Sequence, residues 1–108
     1  MKRPLNKLRP AILVSHFLAC LILFNTNAKA DAAATFKAKC ASCHGADGKG
    51  KEALKTQDLA SENVQNMSDA ELTNITANGK GKMPAYGKSL KPDQIKDLVV
   101  YIRSLAKK

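Results

Sequence analysis

Three side chains within five residues carry the most specific chemistry in this sequence. Cys40 and Cys43 are separated by two residues, and His44 follows directly in Cys40-Ala41-Ser42-Cys43-His44. Two thiols at this spacing reach, in roughly one turn of helix, two vinyl groups on one edge of a porphyrin. An imidazole placed next lies under the ring, where a nitrogen can bind iron. Gly45 then lets the chain turn away beneath the ring with no Cβ in the way. The pentapeptide is the attachment pattern of a c-type haem.

Rival chemistries for the same residues lack their partners. A zinc site needs two further ligands, and past residue 30 the chain has no other Cys and no other His. A redox dithiol of the thioredoxin kind needs a βαβ context, which the pattern does not supply. Gly45-Ala46-Asp47-Gly48-Lys49-Gly50-Lys51-Glu52 nearly spells a phosphate-binding loop. Its last position holds Glu where a magnesium-binding hydroxyl is required, and no strand precedes it. The glycines are expected to make tight turns beside the haem instead.

The compartment follows from the first 30 residues. Lys2, Arg3, Lys7 and Arg9 form a basic start, and Ala11 to Phe24 is uncharged and apolar. That run is shorter than the ~20 residues of a spanning helix. Ala28-Lys29-Ala30 offers the small residues of a cleavage site. Residues 1–30 are therefore expected to be a cleaved secretory signal peptide, leaving 31–108 as a single domain. The whole chain carries +9. The leader holds five of its 18 basic residues and none of its nine acidic ones, so +4 remains. That modest surplus does not suit nucleic-acid binding. Cys20 and His16 leave with the leader, so no thiol remains for a structural disulfide in an oxidising compartment.

The elements that must position the motif are helical. Asp31 to Cys40 is Ala-rich without Gly or Pro and predicts a helix with Asp31 near its N-cap; Phe36 shares a face with Cys40. Glu52 to Lys55 suggests one helical turn, with Leu54 and Leu59 facing the ring. Ser68-Asp69-Ala70-Glu71 is a capping box that opens a second helix, with Met67 and Leu72 at the stapling positions and Asn78-Gly79 at its end. The sequons at Asn66 and Asn74 are short enough to arise by chance. Pro92 starts a last helix whose Ile95, Leu98, Val99, Ile102 and Leu105 keep one apolar stripe. A domain this small, without Trp, has a thin core, and a covalently held haem would serve as staple and filling together.

Iron held by His44 has a second axial position. Candidates are Met83, Met67, a lysine, water or nothing. Met67 already has a use as a helix staple. Met83 lies in the Gly/Pro-punctuated loop 79–87, where Pro84 stiffens the backbone after it, and is the expected ligand. A free or lysine-filled position is the alternative. A thioether favours ferrous iron and raises the potential.

With Phe36, Cys40-x-x-Cys43-His44-Gly45, Gly48, Gly50, Met83-Pro84-Ala85-Tyr86-Gly87 and the run Asp97 to Arg103, the sequence resembles the small bacterial class I c-type cytochromes. The likeness covers nearly all of residues 31–108. It implies an all-α cytochrome c fold, three main helices with long loops wrapped around one covalently attached haem. It implies haem c on Cys40 and Cys43, and His44 and Met83 as axial iron ligands. It also implies crossed first and last helices, with Ala32 and Phe36 meeting Leu98 and Tyr101. One departure stands out. Many members of that family have a Pro after the motif whose carbonyl accepts the histidine Nδ1–H, and Lys55-Thr56-Gln57-Asp58 has none. The expected function is that of a soluble periplasmic one-electron carrier, not an enzyme. The alternatives are a haem subunit docked on a larger respiratory enzyme, or an open-site ligand-binding or peroxidatic haem protein. Expected partners are redox proteins with an acidic docking patch, with membrane contact only through partner complexes and the chain itself a monomer.

Overall fold

The computed structural model describes residues 27–107. Most of the stretch read as a leader therefore lies outside the described residues. Helix α1 covers residues 27–39. It already passes through Asp31, so Asp31 is not its N-cap in the uncut chain. Nothing in Asn27-Ala28-Lys29-Ala30 breaks a helix, which explains the extension. Helical backbone continues through Cys40, whose N–H donates to the Phe36 carbonyl at 2.8 Å, into the single turn α2, Ala41–His44. Gly45, at φ 82°, ends that turn.

A glycine-rich loop and one 3₁₀ turn, Glu52–Leu54, lead to a second short helix, α3, Glu62–Gln65. Sequence periodicity does not reveal α3, because four residues hold barely one period. Helix α4, Asp69–Asn78, opens on the expected capping box. Ser68 Oγ accepts from the Glu71 N–H at 3.1 Å, and Glu71 Oε2 accepts from the Ser68 N–H at 2.7 Å. Gly79 closes it; a Cβ there would come within 2.5 Å of the Met83 carbonyl oxygen. Helix α5, Pro92–Leu105, starts at the expected proline, and Gln94 Oε1 accepts from the Lys91 N–H. No strand occurs among the described residues; the nearest thing is an isolated bridge between Lys80 and Met83.

The predicted stripe of α5 is the spine of the core. Ile95, Leu98, Val99 and Leu105 are buried, with Ile102 half-buried, while Val100 on the other face is 61% exposed. Phe36 reaches this stripe from α1, and its ring stands 5.0 Å from that of Tyr101. Phe36 and Leu98 are each only 2% exposed. Burying a side chain of that size stabilises by about 1.5–3 kcal/mol. Of the contact between first and last helices expected from the resemblance, the Phe36–Tyr101 pair is present, and Phe36 shares one buried cluster with Leu98. Val64 and Leu90, which the sequence reading did not single out, also belong to the core. None of the described helices is long and apolar enough to cross a membrane.

Candidate haem site

The helices leave a cavity of about 240 Å³ between them, lined mainly by apolar side chains. Cys40 and His44 face it from the end of α1 and from α2, Met83 from the loop after α4. Three of the four predicted site residues therefore share one cavity. The fourth, Cys43, is exposed beside it. The aliphatic walls come from Leu59, Val64, Leu72 and Leu98, with Phe36 at the α1 side. Leu59 faces the cavity as expected. Leu54 does not: it is 51% exposed, because the 3₁₀ turn that carries it points it outward. Met67 lines the cavity too, so its packing against the core that holds Leu72 is only part of its environment.

The chain around His44 is tightly bonded. Gly50 N–H donates to the His44 carbonyl at 2.7 Å, and Leu59 N–H to the Gly48 carbonyl at 2.8 Å. Gly50 has φ 83°, and a Cβ on it would collide with the Thr56 carbonyl oxygen. This bears out the reading of these glycines as turn formers. Thr56, which has no recognisable signature in the sequence, closes the loop: its hydroxyl donates to the Cys43 carbonyl at 2.7 Å and accepts from the Lys51 N–H at 2.7 Å.

Burial depresses the His44 pKa below its ordinary value, because the apolar surroundings disfavour the imidazolium. The neutral ring is the form that can donate a lone pair to a metal. Its Nδ1 is buried and bonded by no protein group, so no carbonyl of Lys55-Thr56-Gln57-Asp58 takes the place of the missing proline's. Burial raises the Cys40 thiol pKa, and the nearby Lys39 ammonium works against that rise. An apolar slot with a neutral imidazole, one thiol in its wall, a second thiol at its rim and a thioether across from them in sequence fits a haem.

The far wall is held by groups to which sequence reasoning assigns no bonding role. Arg103 of α5 donates to the carbonyls of Gln65 and Met67 and pairs with Asp69 at 2.8 Å. Gln65 Nε2 donates in turn to the carbonyls of Leu59 and Ile102, both cavity-lining residues. The Met83 loop is fixed by the reciprocal bonds of Met83 with Lys80, at 3.0 and 3.2 Å, and by the bonds of Tyr86.

Residues 27–102 match the family described as cytochrome c oxidase, cbb3-type, subunit III. Cytochrome c6 of Gloeothece citriformis (strain PCC 7424) is 38% identical over 106 residues, covering 89% of this chain and 96% of that protein. The cbb3-type cytochrome c oxidase subunit FixP of Azorhizobium caulinodans is 39% identical over 83 residues, 75% of this chain but 28% of FixP. Among solved structures, the KustC0563 c-type cytochrome superposes with a TM-score of 0.62 at 24% identity, over 68% of this chain and 94% of that one, a likeness of fold. The chain belongs to the c-type cytochromes and has their all-α fold. Its chemistry is that of an electron carrier rather than an enzyme.

Proposed function

We propose that this chain is an exported, periplasmic one-electron carrier holding one haem c through Cys40 and Cys43, with His44 and Met83 as axial ligands. The observation that carries this reading is the single cavity onto which Cys40, His44 and Met83 all open. Bound haem supplies an iron that exchanges one electron between its ferrous and ferric states. The chain's own residues do the rest. His44 offers a neutral nitrogen; Met83 offers a soft thioether that favours the ferrous form. Leu59, Val64 and Leu98 keep water from the slot. Cys43 at the surface marks the edge through which a partner would exchange electrons. Removal of residues 1–30 would leave 31–108 as the working domain.

Exposed Lys37, Lys39, Lys49 and Lys51 flank the attachment motif, and exposed Lys80, Lys82 and Lys88 flank Met83. This distribution supports a positive face around the haem edge and an acidic patch on the redox partner. Charge of this kind acts on encounter rate more than on affinity.

The decisive experiment is mass spectrometry and acid–acetone extraction of protein exported with haem supply. The expected result is a mass of residues 31–108 plus one haem that survives extraction. Haem that extracts freely would refute thioether attachment.

A second reading, a haem subunit docked on a larger respiratory enzyme, is favoured by the match to the oxidase subunit family and to FixP. Purification from native membranes and soluble extract separates the two: a carrier is recovered free and monomeric, a docked subunit with its complex.

A further inference from the structure

Tyr86 joins parts of the chain that the motifs treat separately. Its phenol Oη donates to the Lys39 carbonyl at 3.0 Å, across 47 residues of sequence. Lys39 is the last residue of α1 and precedes Cys40. The Tyr86 N–H donates to the Thr76 carbonyl at 3.0 Å, and the next N–H, of Gly87, to that of Ala77 at 2.9 Å. The Tyr86 carbonyl accepts from the N–H groups of Ser89 and Leu90. The ring packs against the core, and burial pushes its hydroxyl pKa upward, so the phenol remains a donor across the neutral range. The loop that carries Met83 is thus pinned at Tyr86 to the end of α4 by backbone and to the end of α1 by one side chain. Between Gly79, whose N–H still donates to the Ile75 carbonyl, and Tyr86, the backbone hydrogen bonds among the described residues are those of the Lys80–Met83 pair around the exposed Gly81-Lys82 tip.

We propose that Tyr86 is a positioning residue: its hydrogen bond to the Lys39 carbonyl locks the Met83 loop against the haem-attachment segment and keeps the thioether over the cavity. No other side chain among the hydrogen bonds of the described residues joins residues 80–90 to α1. Without the hydroxyl, the loop keeps its backbone anchors on α4 but loses its fix on the segment that holds the first thioether. Opening of the loop then becomes more frequent by the factor that one neutral hydrogen bond represents, about 3- to 10-fold. The consequence for the iron rests on Met83 ligation; the consequence for loop opening does not.

The test uses Tyr86→Phe, which keeps the ring and removes only the bond, in haem-loaded full-length expressed protein. Val99→Ala, a core change away from the cavity lining, serves as the control for general destabilisation. Two readouts are needed. Native-state amide hydrogen exchange should speed up about 3- to 10-fold for the bonded loop amides of Lys80 and Met83 in Tyr86→Phe, and not in Val99→Ala. The rate at which ferric protein takes up added imidazole should rise by a similar factor, with weakening of the near-infrared methionine–iron band. Unchanged exchange at the Lys80 and Met83 amides would overturn the lock. Faster exchange in a wild-type background that shows no methionine–iron band would uphold the lock and refute Met83 ligation instead. Faster exchange with an intact band but unchanged imidazole uptake would overturn the claim that the lock governs access to the iron.

Discussion

At the residue scale the two methionines pose the sharpest question, since both line the cavity. Met83 is carried by a loop with no helix face to bury it, whereas Met67 also packs against the core. Met83→Ala should open the sixth iron position, lower the reduction potential and let ferrous protein bind carbon monoxide, all readable by optical titration. Met67→Leu conserves volume and should leave the spectrum alone, with a stability change below about 1.5 kcal/mol in denaturant unfolding. Carbon monoxide binding by Met67→Leu but not by Met83→Ala would exchange their roles. Cys40, Cys43, His44 and Met83 could be singled out in the sequence because their types and spacing are themselves chemical statements. Thr56 could not, and Tyr86 and Arg103 stand out only as part of the family resemblance, with no bonding role attached. Their partners lie 13, 47 and 34 to 38 residues away, and nothing local in a threonine, a tyrosine or an arginine announces a distant carbonyl.

At the scale of elements, what could be read depended on length and on local capping. Helices α4 and α5 begin where Ser68 and Pro92 dictate, since a cap and a proline act within one turn. Helix α3 is too short to show a period, and Leu54 faces solvent rather than the cavity because a single 3₁₀ turn has no periodic pattern in the sequence that fixes its facing. The capping box makes a test of its own. Ser68→Ala should destabilise the protein by about 1 kcal/mol at neutral pH, measured by urea unfolding. Hydrogen bonds from Ser68 to the Glu71 carboxylate hold its pKa below the ordinary value. A depressed folded-state pKa means that this contribution is complete above the unfolded value and disappears as pH falls through the folded one. Glu71→Gln should therefore flatten the acid limb of the stability profile below the ordinary carboxylate range while leaving the neutral limb parallel. An acid limb unchanged by Glu71→Gln would assign that titration to other carboxylates.

At the scale of the whole molecule, charge and cavity lead to separate expectations. With lysines on both sides of the attachment motif, a small anionic redox reagent should react faster than a cationic one of similar driving force. The anionic rate should fall and the cationic rate rise as ionic strength increases toward ~0.15 M, where the screening length is ~8 Å. Equal, salt-independent rates would leave the lysines as ordinary solvated surface. The cavity matters differently. It opens into the core of a small domain, and Leu59, Val64, Leu72 and Leu98, members of one buried cluster, also form its walls. Cys40→Ser with Cys43→Ser should accordingly give little folded product in a soluble-yield assay, because the covalent hold and the filling are lost together. A ligand that binds only the folded chain draws the population toward it, and the unfolded remainder is exposed to proteases. For the proposed exported, haem-loaded carrier, the amount of protein in a cell would then be governed less by how fast its message is translated than by how fast haem reaches the chain. On that proposal its steady-state level would be a gauge of haem delivery, and a cell starved of haem would clear the polypeptide without any change in its gene's expression.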